Sequence, residues 1–162
     1  MISQQPKPNS NRKTTDMKKT LALIALATAI GFAGSAHAVE HEIKMLNRGD
    51  RPMVFEPEFV RAAPGDTIRF VATDPGHNAE IIAGMLPQDA APFKGGINEE
   101  FVYTLEQEGI YGVKCAPHYG LGMVLLISVG EPMNLGEAQE VRHPGRARAV
   151  FGELFEQEAA AD

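Results

Sequence analysis

The amino-acid sequence predicts an all-β sandwich or barrel that is followed by two short α-helices. From His41 to Val129, short stretches of alternating or continuous apolar residues are separated by turn residues at roughly 8–12-residue spacing, a pattern typical of antiparallel β folds. After Gly130, apolar residues recur at the spacing of an amphipathic helix instead. We therefore expect residues 39–130 to form the β-sandwich and residues 131–162 to form a helical extension packed on the same domain.

Seven stretches have the pattern of β-strands. Thr67–Ala72 is the clearest, because Ile68 and Phe70 fall on one face, as expected of a half-buried strand. Met123–Val129 is a continuous apolar run, which suits a buried strand. Residues 81–96 are rich in glycine and proline and are expected to form a loop. The predicted strands are His41–Leu46, Met53–Glu58, Phe59–Val60, Thr67–Ala72, Phe101–Leu105, Ile110–Cys115 and Met123–Val129.

Two helices are predicted after the last strand. Leu135–Val141 is compatible with a short helix, and the proline and glycine of His143-Pro144-Gly145 end it. A longer helix is expected from about Arg146 to Ala159, because its apolar residues share one side and its acidic residues the other. The apolar side, which should dock on the sandwich, contains Val150, Phe151, Leu154 and Phe155.

The N-terminal residues have the features of a secretory signal peptide. Lys18 and Lys19 precede a mostly apolar run of 13 residues, 21–33, and Ala36-His37-Ala38 is a small-x-small cleavage signature. The apolar run is shorter than the roughly 20 residues that span a membrane. We expect residues 1–38 to be a signal peptide cleaved after Ala38, leaving a periplasmic chain without membrane insertion. Residues 1–16 are polar, unlike an ordinary n-region, so Met17 is a candidate for the true start.

The charge of the expected mature chain argues against nucleic-acid binding. Residues 39–162 carry ten Lys and Arg against twenty Asp and Glu, a formal charge of −10, whereas phosphate backbones are bound by basic faces. The same segment has a single cysteine, Cys115. In an exported protein, an odd cysteine indicates intermolecular pairing or a functional thiol.

The stretch Tyr111–Met123 places a thiol, an imidazole and a thioether in one short segment. Cys115 is followed by His118 three residues later and by Met123 five residues further on. Two histidines, a cysteine thiolate and a weak axial methionine form the trigonal site of blue-copper electron-transfer proteins. His77, in Asp-Pro-Gly-His-Asn, is the natural second histidine. The pattern therefore predicts one type 1 copper per chain and a diffusible electron carrier.

Other interpretations of these residues fit less well. Zinc suits Cys and His, but Met is not among its usual ligands and a fourth ligand is missing. A Cys-His nucleophile needs a third, orienting residue that the sequence does not identify, so we do not expect an enzyme. A catalytic copper centre would need further histidines, and His41 and His143 are expected at the surface. A periplasmic copper-binding or copper-delivery protein, with an open and exchangeable Cu(I) site, stays as the alternative function.

Motifs along nearly the whole expected mature chain carry a family resemblance. They are Met-Leu-Asn-Arg-Gly, Met-Val-Phe-Glu-Pro, Ala-Pro-Gly-Asp-Thr, Gly-His-Asn, Ile-Asn-Glu, Gly-Ile-Tyr-Gly-Val-Lys-Cys-Ala-Pro-His-Tyr-Gly and the helical tail. With these motifs the chain resembles the cupredoxin family and, within it, the pseudoazurins. The resemblance implies an eight-stranded Greek-key cupredoxin sandwich with two C-terminal α-helices and copper near one end.

The resemblance also assigns roles to residues at the copper end. It implies that the metal ligands are His77, Cys115, His118 and Met123, with Asn78 and Pro117 just outside them. An exposed apolar patch and flanking basic residues are expected to dock the partner, and this docking set is Met53, Gly120, Leu121, Arg48, Arg51, Lys94 and Lys114. Two positions depart from the family pattern, because Pro75 stands where relatives often have lysine and Leu121 replaces a frequent methionine.

The partners implied by the resemblance are transient ones. Copper nitrite reductase of periplasmic denitrification, or another periplasmic redox enzyme, would receive the electrons, and a cytochrome-type protein would donate them. Such redox encounters lie at the small end of interface sizes, because the carrier has to leave each partner quickly. We expect the carrier itself to be a monomer.

Overall fold

The structure is a computed structural model that describes residues 37–161. Almost all of the predicted signal peptide, including the candidate start at Met17, lies outside the described residues. Eight strands precede two α-helices, and a 3-10 helix, Ala116–Leu121, lies between the last two strands. The elements are β1 Glu40–Arg48, β2 Pro52–Glu56, β3 Phe59–Ala62, β4 Thr67–Val71, β5 Glu80–Ile81, β6 Phe101–Thr104, β7 Gly109–Lys114, β8 Val124–Val129, α1 Leu135–Glu140 and α2 Ala147–Ala160.

The strands form two four-stranded sheets. One has the order β2-β1-β4-β6 and the other the order β3-β8-β7-β5. The predicted fold class, an eight-stranded sandwich followed by two helices, is confirmed. The expectation of a purely antiparallel fold is wrong at two places, because β1 pairs with β4 and β3 pairs with β8 in parallel. These partners are joined by long connections, so no hairpin turn forces them to run in opposite directions.

The main core lies between the two sheets. Along β1, Ile43 and Met45 are fully buried while Lys44 between them is exposed, which is the alternation of a strand with one solvated face. These side chains belong to the same apolar cluster as Leu125 and Ile127 of β8. Burial between the sheets therefore fixes the register of β1, since a slip by one residue would turn its apolar side chains to solvent.

The two helices cover the outer face of the second sheet. Every residue of β8 is buried, because Leu125 faces the core and Leu126 packs in a second cluster with Phe151 and Leu154 of α2. Two covered faces explain why the sequence of β8 is a continuous apolar run rather than an alternating one. Neither α1 nor α2, the α-helices of residues 37–161, has the length and apolar character to cross a membrane.

Candidate metal centre

The segment between β7 and β8 folds so that Cys115, His118 and Met123 lie on one closed loop. Cys115 precedes the 3-10 helix, whose first turn holds a proline, where the missing N–H costs no hydrogen bond. Gly122 ends this helix in the left-handed conformation, with φ of 96°, which glycine adopts without steric cost. The Cys115 N–H donates to the Met123 carbonyl (3.1 Å), and the Met123 N–H donates to the His118 carbonyl (3.2 Å). The backbone therefore holds the three side chains in fixed relative positions.

Three of the four predicted ligands converge on one point. The Nδ1 atoms of His77 and His118 are 3.0 Å apart, and Sγ of Cys115 is 3.5 Å from the His118 Nδ1 and 3.7 Å from the His77 Nδ1. The point equidistant from these atoms lies about 2 Å from each, close to the usual length of bonds from a first-row metal to nitrogen or thiolate. A thiolate and two imidazoles suit copper, so the donor set fits that metal. Met123 is fully buried in the same apolar cluster as Cys115.

The His77 ring is oriented by the end of β1. Its Nε2 donates to Oδ1 of Asn47 (3.1 Å), and since an amide oxygen only accepts, Nδ1 carries the lone pair that faces the cluster. His77 is fully buried, whereas His118 is partly exposed. The hydrogen bond from His77 to Asn47 is thus of the kind that fixes the tautomer and direction of a metal-binding imidazole.

Asn78 links the segment after β4 to the loop that follows Cys115. Its Oδ1 accepts a hydrogen bond from the Ala116 N–H (2.7 Å), while its Nδ2 donates to the Gly95 carbonyl (3.2 Å) and to the carboxylate of Glu80 (3.3 Å). The side chain is buried. Because every polar atom of the amide has a partner, Asn78 holds the two segments that carry the predicted ligands at a set distance.

Burial favours the uncharged forms of Cys115 and His77. It raises the pKa of the Cys115 thiol, and hydrogen bonds from the backbone N–H groups of Asn78 and His118 offset part of that effect. It also lowers the pKa of His77, and the nearby His118 ring lowers it further. A coordinating thiol is deprotonated by the charge of its metal. The centre is therefore arranged to exchange a thiol proton for a metal cation.

Three residues of the predicted apolar surface lie next to the partly exposed His118 in the chain. Pro117 and Gly120 are exposed, and Leu121 has 50% of its surface accessible. Met53 differs, because it is only partly exposed and packs against the main core.

The predicted basic docking residues differ in how freely their charges face solvent. Arg51 is largely neutralised, because it forms ion pairs with Glu58 (3.1 Å) and Glu153 (2.9 Å). Lys94 and Lys114 both approach the buried Glu80 carboxylate, at 3.7 Å and 3.2 Å. The Lys94 side chain is nevertheless mostly exposed, whereas that of Lys114 is mostly buried. The last member, Arg48, is exposed at the end of β1.

Sequence reasoning missed three contacts of the centre. Asn47 lies within the Met-Leu-Asn-Arg-Gly motif. That motif is the one sequence feature that could have pointed to the hydrogen bond between Asn47 and His77. No pattern marks Glu80, because two of its partners, Lys94 and Lys114, lie 14 and 34 residues further along the chain. Nor does any pattern mark the short hydrogen bond between the Tyr119 hydroxyl and His143 Nδ1 (2.6 Å). His143, expected at the surface, is partly buried and stacks on Phe151.

A thiol and two imidazoles at one end of a two-sheet sandwich define a type 1 copper protein of the cupredoxin class. Comparison with known proteins agrees with this class, because residues 41–130 match the family described as copper binding proteins, plastocyanin/azurin family.

Comparison with individual proteins shows which group within this class the chain resembles. The pseudoazurin of Paracoccus pantotrophus is 48% identical over 126 residues, which cover 76% of this chain and 87% of that protein. The crystal structure of pseudoazurin from Methylobacterium extorquens AM1 has a TM-score of 0.71 and 46% identity, covering 73% of this chain and 98% of the other. Native pseudoazurin from Hyphomicrobium denitrificans has the same TM-score and 44% identity. The chain belongs to the pseudoazurins. It is a copper-binding electron-transfer protein and not an enzyme.

Proposed function

We propose that this protein is a periplasmic carrier that passes single electrons to copper nitrite reductase, with His77, Cys115, His118 and Met123 as the copper ligands. The observation that carries the proposal is the triangle formed by two Nδ1 atoms and one Sγ, which matches the trigonal set of a type 1 centre. Full burial of His77 and Cys115 argues against the alternative of copper delivery, which needs a site that opens for exchange.

The residues around the ligands supply rigidity. A bound type 1 copper carries one electron by cycling between Cu(I) and Cu(II), and the transfer is fast when the ligands move little between the two states. Asn47 holds the direction of the His77 ring, and Asn78 ties Ala116 to the opposite segment. The backbone bonds across the loop fix Met123 relative to the other ligands. These contacts restrain the donor set independently of the metal.

The exposed edge of His118 supplies the route for the electron. The apolar surface of Pro117, Gly120 and Leu121 lies beside it in the chain and lets a partner approach without desolvating charges. Lys94 and Arg48 are the basic docking residues with the most accessible side chains, so they contribute most to steering towards an acidic partner. The paired Arg51 contributes less.

Two arguments support the compartment and the partner. The basic n-region, apolar run and small-x-small signature of residues 18–38 support export. Membership of the pseudoazurins supports delivery of electrons to a redox partner, and the resemblance noted in the sequence makes copper nitrite reductase the proposed one.

The first test is the visible spectrum of the exported protein after addition of Cu(II). An intense thiolate-to-copper charge-transfer band is expected, and it should disappear on reduction and be absent from Cys115→Ser. A colourless or weakly absorbing complex would overturn the proposed ligand set.

The partner is tested by mixing the reduced carrier with oxidised copper nitrite reductase and following the return of the blue colour. Leu121→Asp should slow this reaction by an order of magnitude or more, because a charge enters the apolar patch. Val102→Asp is the matched control, since Val102 is equally exposed (52%) but lies on β6. Equal rates for both variants, or no electron transfer from the unmodified carrier, would contradict the proposed partner or its docking surface.

A further inference from the structure

The beginning of β1 brings two nitrogen donors together on one carboxylate. The backbone N–H of Val39 donates to Oδ1 of Asp66 (2.8 Å), and Nε2 of His41 lies 3.1 Å from Oδ2 of the same side chain. Asp66 is buried, whereas Val39 has 52% of its surface exposed and Glu40 is also exposed. The first two residues of the expected mature chain are therefore accessible and the third is partly buried, with Val39 and His41 on one fixed anion.

Removal of the signal peptide would convert the backbone amide of Val39 into a free α-amine. Hydrolysis of the Ala38–Val39 bond adds one water molecule, which leaves a carboxylate on Ala38 and a primary amine on Val39. The amine is two residues ahead of His41, so the mature chain would begin Val39-Glu40-His41. An α-amine has an ordinary pKa of about 7.7–8.0, and it loses its proton readily to a metal that competes for the lone pair.

We propose that the processed N-terminus is a second metal site, which takes Cu(II) or Ni(II) in a square plane of four nitrogens. The donors are the amine of Val39, the backbone amide nitrogens of Glu40 and His41, and Nδ1 of His41. Three fused chelate rings join them, and the amine and both amides release their protons on binding. Square-planar nitrogen sets select Cu(II) and Ni(II) among the divalent metals. The proposal rests on the export that is part of the proposed function and on the cleavage after Ala38 that the sequence predicts.

The necessary rearrangement is confined to the start of β1. The chelate requires Val39, Glu40 and His41 to leave the extended conformation. This breaks the bond from the Thr67 N–H to the Val39 carbonyl (2.9 Å), the bond from the Val39 nitrogen to Asp66 (2.8 Å), and the pairing of Glu40 with Thr67 and of His41 with Ile68. The rest of β1 stays in place, because Ile43 and Met45 are fully buried. Chelation uses Nδ1 of the histidine, so its Nε2–H is left free to donate to a neighbouring carboxylate such as Asp66.

The proposed site is separate from the type 1 centre. Asn47, which holds the His77 ring, lies near the other end of β1 from His41. Six residues of strand at 3.3–3.4 Å per residue place these two positions roughly 20 Å apart. Metal at the N-terminus should therefore leave the blue chromophore unchanged.

The test uses the exported protein, loaded with one equivalent of Cu(I), which the thiolate site selects and a square plane of nitrogens does not, and then reoxidised, so that the type 1 centre is filled and the N-terminus is not. Intact mass first identifies the N-terminal residue. Ni(II) is then added, and the weak d–d absorption of square-planar Ni(II) is followed. We expect one Ni(II) per chain, no change in the charge-transfer band and an affinity that rises with pH, because protons are released.

Three variants decide whether the donors are assigned correctly. His41→Gln should abolish the square-planar spectrum. A chain that retains Ala38 as its first residue should also abolish it, because the histidine then stands fourth, and this change spares every side chain of the fold. Asp66→Asn should keep the spectrum, since the carboxylate is not a ligand.

Each of the opposite results would overturn the proposal. These are a spectrum that survives the one-residue extension, one that is lost with Asp66→Asn, and no Ni(II) signal from a chain that begins at Val39. A chain that begins at another residue would overturn both the cleavage site and the metal site, while the blue chromophore would still report the electron carrier.

Discussion

Replacement of Asn78 by alanine tests whether one buried amide holds the copper ligands in place. The change removes three hydrogen bonds and leaves the Ala116 N–H without its acceptor. A typical hydrogen bond contributes about 1 kcal/mol net, and an unsatisfied buried donor costs about 1–3 kcal/mol. We therefore expect the free energy of unfolding of the copper-free protein to fall by about 2–4 kcal/mol. Urea unfolding of wild type and variant measures this difference.

Asn134→Ala is the matched control for that experiment. Asn134 is also a buried asparagine, and its amide bonds both the N–H (2.6 Å) and the carbonyl (3.0 Å) of Ile110. Its loss should destabilise the fold by a similar amount, since a buried donor and acceptor are again left unpaired. Asn134 precedes α1 and has no contact with the ligand loop among its hydrogen bonds.

The copper spectrum separates the two variants. Only Asn78→Ala should shift or weaken the charge-transfer band and lower the affinity for copper, because only that change frees the segment that follows Cys115. An unaltered spectrum in Asn78→Ala would refute the positioning argument even if the protein were destabilised. An equal spectral change in Asn134→Ala would show that general loosening of the fold is the cause.

Two further predictions concern buried carboxylates. Burial of Asp66 opposes its ionisation, but hydrogen bonds from the Ala63 and Val39 N–H groups and from the His41 ring outweigh this and hold its pKa below the usual value. The ionised Asp66 therefore stabilises the fold above the unfolded pKa of about 3.9, and this contribution is lost as the pH falls through the folded pKa. Asp66→Asn should make the melting temperature less dependent on pH between about pH 5 and 2, which thermal unfolding at a series of pH values measures. Glu80→Gln removes a negative charge that lies near Cys115 and should raise the reduction potential of the copper, which a redox titration measures. Glu99→Gln, at an exposed position, is the control and should leave the potential unchanged. A lowered potential in Glu80→Gln would contradict the charge argument.

The sequence was informative wherever one local pattern determined the outcome. The strand β8 and the helix α2 follow from runs of apolar residues at strand and helix spacing. The parallel pairing of β3 with β8 could not be predicted in this way, because it depends on segments more than sixty residues apart in the chain. The ion pairs of Arg51 show the same limit, since its partner Glu153 is 102 residues away.

In the candidate metal centre too, residues close in sequence could be predicted and contacts between distant segments could not. Cys115 and His118 are close in sequence, so their spacing alone predicted a shared site. The role of Glu80 emerges only when the chain is folded, because two of its three partners, Lys94 and Lys114, come from other segments of the chain. A set of donors can thus be predicted from spacing, whereas the groups that tune it depend on tertiary contacts.

The C-terminal extension is part of the copper end because its entry segment rests on the ligand loop. The Arg146 N–H donates to the Gly120 carbonyl (3.0 Å), and the Tyr119 hydroxyl is hydrogen-bonded to His143 (2.6 Å). Both contacts fall within two residues of His118, the predicted ligand that is partly exposed. His118 is partly exposed whereas His77 is fully buried, so the contacts from the segment before α2 support the part of the loop that the core does not enclose. Removing the extension would therefore loosen the exposed ligand as well as uncover the outer face of β8.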